Sequence, residues 1–134
     1  MIKDIEIPEV KNVTIAIARK KPIGESAEWL VYLINNNLQP IDNTLVASKG
    51  YGEQNGEQQK TSVLRHFLDT VPAKGTMLIE PIDPALFHLN NEYWVSYYLQ
   101  GKLFDKRFVF VPETICEENL TFIKELELEG VLHS

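Results

Sequence analysis

Between Glu92 and Val111 the chain reads EYWVSYYLQGKLFDKRFVFV, two runs in which successive positions alternate in character on either side of Gly101. A period of two sends neighbouring side chains to opposite faces of a strand. The pattern predicts a β-hairpin with a tight loop at Gln100-Gly101 or Gly101-Lys102. Both registers give the same two faces. One carries Tyr93, Val95, Tyr97 and Leu99 with Phe104, Lys106, Phe108 and Phe110. It is large and mostly apolar and is assigned to the core, with Lys106 snorkelling at its edge. The other carries Trp94, Ser96, Tyr98, Leu103, Asp105, Arg107 and Val109. In the Gly101-Lys102 register Tyr98 stands opposite Asp105, Ser96 opposite Arg107 and Trp94 opposite Val109.

The same reading extends along the chain. Val13, Ile15 and Ile17 alternate with Thr14, Ala16 and Ala18, a strand with a large and a small face that Pro22 and Gly24 end. Glu28 to Asn35 is apolar on both faces, which suits a central strand covered on both sides. Asn35-Asn36-Asn37 and Pro40 break it. Leu45 to Lys49 predicts a further strand, and Gly50 to Lys60 a polar loop. Thr61 to Val71 fits a helical stripe through Val63, Leu64, Phe67, Leu68 and Val71, and equally a strand. Met77 to Ile82 predicts a strand. Asp83 can cap a single turn begun by Pro84, and Asn90-Asn91 turns the chain into the hairpin.

After Pro112, Thr114 and Glu117 have the spacing of a capping box. Ile115, Cys116, Leu120, Phe122, Ile123 and Leu126 fall on one helical arc, and Gly130 suits a helix stop. This predicts a C-terminal amphipathic helix, with a final strand through LELEGVL as its competitor. Short strands with regular turn signals predict a mainly β chain: an antiparallel β-sandwich of the immunoglobulin-like kind. VPAKGTMLIEP, Val71 to Pro81, reads like the approach to a strand in such sandwiches. The alternative is an α+β antiparallel sheet with helices on one face.

The 134 residues suit one domain, 1–134, and 44% apolar content supplies a core without staples. Cys116 is the one cysteine, so no disulfide closes within the chain, as expected in a reducing compartment. The start, MIKDIEIPEV, has no apolar run, and the longest such stretch, Trp29 to Ile34, is too short for a bilayer. The expectation is a cytoplasmic protein without membrane contact, in which the triplets at Asn12 and Asn119 are chance glycosylation matches. Of the net charge of −6, Glu113 to Glu129 holds −5, from six glutamates and Lys124, and the remainder −1. Nucleic-acid binding needs clustered cations for phosphates and is not expected. Arg19-Lys20-Lys21 reads as a solvated strand end.

Chemistry-bearing constellations are sparse. Lys49-Gly50-Tyr51-Gly52 with Gly56 could offer backbone N–H groups to an anion but lacks the phosphate-loop pattern. His66, His88 and His133 lack the short paired spacing of zinc ligands. Cys116 with His66 or His88 would need an orienting group, and Cys116 falls among apolar positions. Arg65, His66 and Asp69 could share a helix side, where an ion pair explains them. No catalytic residue, metal or cofactor is assigned. The remaining candidate is a partner-binding patch of Trp94, Tyr98, Asp105 and Arg107, because Trp, Tyr and Arg dominate interface hot spots. Its occupant would be a protein partner or a second copy of the chain. The competing reading covers this face with the domain's own loops or second sheet.

From Lys60 onward, KTSVLRHFLDTVPAKGTMLIEPIDPALFHLNNEYWVSYYLQGKLFDKRFVFVPE resembles a family of short bacterial proteins of unknown function, some labelled phenylalanyl-tRNA synthetase alpha chain. The resemblance extends over most of the chain. That label implies ATP-dependent aminoacylation on a class II antiparallel sheet, with magnesium and tRNA. Such enzymes hold ATP with arginines in set motifs. The chain has only Arg19, Arg65 and Arg107, matches none of those motifs, and receives no site residue from the resemblance. Two functions are thus expected: a non-catalytic binding or assembly module acting through the aromatic face, or a synthetase-related, small-molecule-acting domain near Lys49, Arg65 and His66.

Overall fold

The computed structural model describes residues 9–21 and 26–134. Among these residues ten strands run in chain order: β1 Val13–Lys20, β2 Glu28–Asn35, β3 Ile41–Gln54, β4 Glu57–Lys60, β5 Leu64–Val71, β6 Gly75–Pro81, β7 Asn90–Leu99, β8 Lys102–Phe110, β9 Thr121–Ile123 and β10 Leu128–His133. They form two sheets, ordered β6-β2-β1-β10-β9 and β4-β3-β7-β8, and every pairing is antiparallel. β3 organises the second sheet. One of its edges pairs with β7, while β5 and then β4 pair along the other.

The inner faces of both sheets share one core. Ile15, Ile17, Val31 and Leu33 of the first meet Val46, Tyr93, Val95, Tyr97, Phe108 and Phe110 of the second. The large-residue faces read from the alternation are therefore the buried ones. Lys106 leaves the inner face at its edge, with its ammonium 4.8 Å from the Phe108 ring centre. β2 lies between β1 and β6 in its sheet, and both of its faces carry buried residues, Val31 and Leu33 on the inner, Leu30 and Ile34 on the outer. On the outside of the first sheet, the small Ala16 lets Ile34 and Ile123 pack against it, with Leu126 beside them.

The end of β2 is fixed by a polar plug. Fully buried Asn35 donates from Nδ2 to the carbonyls of Gln39, Val71 and Pro72, and its Oδ1 accepts from the backbone and side chain of Asn37. The break at Asn35-Asn36-Asn37 is thus a tie between β2 and the turn after β5.

Several expectations are corrected. The segment after Pro112 contains no amphipathic helix. It forms a single 3-10 turn at Glu117–Asn119, then the short strands β9 and β10. Cys116 precedes that turn with extended backbone and caps nothing with its side chain. The reason is tertiary: β10 supplies hydrogen-bonding partners along the edge of β1 that β2 leaves free, which a local helix cannot do. Gly130 is a strand residue opposite Ala18, not a helix stop.

Gly50 to Lys60 is not a loop. β3 runs through it and returns as β4 at a hairpin whose turn residues, Asn55 and Gly56, have φ of 53° and 77°. Within Thr61 to Val71, Leu64–Val71 forms the strand β5. Arg19 is no solvated strand end: its side chain is only 9% exposed, bonds Glu117, and lies 3.7 Å from Glu129. Pro22 and Gly24 lie outside the described residues. Asp83 does cap the turn at Pro84–Leu86, accepting from Ala85 N at 2.9 Å. Among the described residues no helix is long and apolar enough to cross a membrane.

Candidate functional site

The outer face of the second sheet is built by strand parity. With Tyr93, Val95 and Tyr97 turned into the core, Glu92, Trp94, Ser96 and Tyr98 of β7 face outward. The β7–β8 loop is Gln100-Gly101, both with positive φ (50° and 78°), as a two-residue type I′ turn requires. The resulting register sets Trp94 opposite Arg107, Ser96 opposite Asp105 and Tyr98 opposite Leu103. The Gly101-Lys102 alternative, which displaces each pair by two residues, is not adopted. All four predicted residues, Trp94, Tyr98, Asp105 and Arg107, share this face.

β3 and β5 extend it. Ala47 pairs with Trp94 on one side and Arg65 on the other, giving a row Arg65–Ala47–Trp94–Arg107 across four strands. The adjacent row is Phe67–Leu45–Ser96–Asp105. Trp94 is 46% exposed, Tyr98 40% and Phe67 61%, with Leu45 and Leu103 also about half exposed. Small Ala47 and Ser96 leave a dip of about 190 Å³ between Leu45, Arg65 and Trp94. Among the described residues, neither the first sheet nor a loop covers this surface.

One end of the face is charged. Glu92, buried on the outer side of β7, lies 3.6 Å from Lys49 Nζ and 3.9 Å from Arg107 Nε, and Tyr51 donates to it at 3.3 Å. Burial first, then the Glu92 charge and hydrogen bond, hold the Tyr51 hydroxyl above its usual range. The carboxylate is therefore largely neutralised by its own sheet, and Lys49 and Arg107 remain at the surface. Asp105 stands opposite uncharged Ser96, with its carboxylate outside any ion pair among the described residues.

The hairpin alternation therefore located half of the surface. Leu45 and Phe67 are absent from the residues read from sequence, and Arg65, expected near Lys49 and His66 in the small-molecule reading, lies on this face instead. Their alternation was present, yet nothing local says that β5 pairs with β3 or that β3 lies beside β7. The other proposed constellations separate. Arg65 and His66 point to opposite faces of β5, and Asp69 sits at a register irregularity with φ of 57°. His66 is bonded to Glu80 and His88 to Gln59. The glycines of the Gly50 segment lie in or between paired strands and form no anion loop.

Comparison with family models, curated proteins and solved structures gives no significant match to this chain.

Proposed function

We propose that this chain is a non-catalytic protein-binding module that docks its partner on the outer face of the second sheet. The observation that carries the reading is the half-exposed Trp94 at the centre of a continuous surface with Leu45, Tyr98, Leu103 and Phe67. Monomeric proteins scatter exposed apolar side chains singly, whereas contiguous patches rimmed by polar groups mark interaction sites. Among the described residues the rim is Arg65, Lys49 and Arg107, with two acids outside any ion pair, Asp105 and, opposite Tyr98, Asp42. A partner presenting apolar side chains flanked by carboxylates complements it.

The strand order supports an immunoglobulin-like reading of the sheets. β6-β2-β1 facing β8-β7-β3 has the order in which such sandwiches place their first, second and fifth strands against their third, sixth and seventh. The single free cysteine, Cys116, supports a cytoplasmic setting.

Acrylamide quenching of Trp94 in a Trp29→Phe background tests the reading, together with sedimentation over a range of concentrations. An accessible indole in a monomer supports a surface open to a different protein. An indole protected in the dilute monomer contradicts it, and a mass that doubles with concentration replaces the partner by a second copy.

A further inference from the structure

The two sheets leave unequal edges. β4 has four residues and β9 three, and β5 and β6 are tied across the seam by His66 Nε2, 2.6 Å from Glu80 Oε1. β8 differs: it pairs with β7 over nine residues with no register shift, and nothing pairs with its other edge among the described residues. The β7–β8 turn determines which backbone groups that edge presents. A two-residue loop makes the pair flanking it, Leu99 and Lys102, a hydrogen-bonded pair, and such pairs alternate along an antiparallel ladder. Lys102, Phe104, Lys106, Phe108 and Phe110 therefore bond to β7. Leu103, Asp105, Arg107 and Val109 turn their N–H and C=O groups to the open edge, where no backbone hydrogen bond meets them among the described residues.

Open edges are ordinarily guarded against adding another strand, and on β8 the guard is charge. It carries three cations, Lys102, Lys106 and Arg107, and one acid, Asp105, in a chain whose net charge is −6. Arg107 lies 3.9 Å from Glu92, whereas Lys102 and Lys106 take part in no ion pair among the described residues. A second copy is repelled: two β8 strands side by side double three cations and one acid to six and two. A strand bearing carboxylates is attracted. Parity sharpens the match. Lys102, Phe104 and Lys106 share the inner row, and Leu103, Asp105, Arg107 and Val109 the outer one. A strand with carboxylates in the inner row and apolar side chains in the outer row sets acids beside Lys102 and Lys106 and apolar groups beside Leu103 and Val109.

We propose that the open edge of β8 takes an extended segment of a different protein as an added strand, one in which carboxylate and apolar side chains alternate. The backbone groups of Leu103, Asp105, Arg107 and Val109 hold the segment, and the cations of β8 select an acidic one. Recognition is by the strand edge, so the inference goes beyond the aromatic-face reading and does not depend on it. Trp94 lies on β7, one strand further in.

The test is a two-dimensional amide NMR titration of the full chain at neutral pH with the peptide acetyl-Val-Glu-Val-Glu-Val-Glu-Val-amide. Its counterparts are the same peptide with Lys in place of Glu, and the Glu peptide N-methylated on its central residues, which removes backbone donors and keeps the charge. The expected result is saturable binding in which the Leu103, Asp105, Arg107 and Val109 amides gain protection from exchange. The Phe104, Lys106 and Phe108 amides, already bonded to β7, should keep theirs. The Glu peptide should bind at least about tenfold tighter than either counterpart. Trp94→Ala should leave its affinity within about twofold, since the added strand does not touch that side chain. No saturable binding of the Glu peptide, equal affinity for either counterpart, or protection without alternation would overturn the assignment. Binding lost in Trp94→Ala but kept by the N-methylated peptide would put the peptide on the aromatic face, which overturns the edge and leaves the proposed function standing.

Discussion

Trp94 and Arg107 are cross-strand partners on the outer face of the second sheet, while their neighbours Tyr93 and Phe108 are cross-strand partners in the core. One residue of sequence separates a surface pair from a core pair. The two pairs should respond oppositely to truncation. Trp94→Ala and Arg107→Ala are expected to change unfolding free energy by less than about 1 kcal/mol, since neither fills a cavity in the core. Tyr93→Ala and Phe108→Ala should each cost about 3–5 kcal/mol through lost burial and a residual void. Urea unfolding of the four variants checks this, and comparable losses at all four positions would show that the outer face is itself a core.

Gly130 marks the closest approach of β10 to β1. A Cβ there would stand 2.6 Å from the Ile17 carbonyl oxygen, 2.9 Å from the Ala18 Cα and 2.8 Å from Ile123 Cδ1. Two of these neighbours are backbone and cannot turn aside. Gly130→Ala is expected to destabilise by about 1–3 kcal/mol, as overpacking of a tight site does. Thermal unfolding measures it, and an unchanged midpoint would contradict the β1–β10 register.

Asn35 has no apolar substitute. Asn35→Ala removes the donors to three carbonyls and the acceptor for Asn37, leaving buried backbone groups unpaired. A loss of about 2–3 kcal/mol is expected. Faster amide exchange at Asn37 and in the turn after Val71 should accompany it.

Tyr97 should behave in the opposite sense. Its buried hydroxyl has no partner among the described residues, and burial pushes its pKa up to about 12. Tyr97→Phe is expected to leave stability at pH 7 unchanged or raise it by about 1 kcal/mol, because it removes an unpaired polar atom. In the unfolded chain a tyrosine titrates at about pH 10. Between that pH and the folded value, the unfolded chain gives up a proton that the folded chain keeps, so stability falls as pH rises. The wild type should therefore lose more stability than Tyr97→Phe on going from pH 9 to pH 12. Parallel curves for the two proteins would contradict the burial of this hydroxyl.

Most of the strands were legible because each is amphipathic by itself. The alternation at Val13–Ala18 and Tyr93–Phe110 names its own buried face, and the two-sided run at Trp29–Ile34 names a central strand. Three misreadings have one physical origin. Gly50 to Lys60 lacks apolar residues because its hairpin extends beyond the core, so its strands depend on backbone pairing and the Asn55-Gly56 turn rather than on hydrophobic pattern. The segment from Ile115 to Leu126 fits a helical arc as well as it fits turns. Its outcome is tied to β10, which pairs with the edge of β1 about one hundred residues away in sequence and offers its own other edge to β9. Arg19 looks solvated in its basic run, yet it turns inward because Glu117 and Glu129 arrive from the far end of the chain. The candidate surface divides in the same way. Trp94, Tyr98, Asp105 and Arg107 follow from one hairpin, whereas Leu45, Arg65 and Phe67 join them only through long-range pairing of β3 with β5 and β7.

The central claim is that this surface, rather than the opposite sheet, recognises a protein. Affinity capture from native lysate decides it with three baits: wild type, the folded Trp94→Ala/Arg107→Ala variant, and Leu78→Ala, which truncates an exposed side chain on β6 of the first sheet. A protein retained by wild type and by Leu78→Ala, but lost from Trp94→Ala/Arg107→Ala, is the predicted result. The same proteins on all three baits, or none on any, would contradict the account.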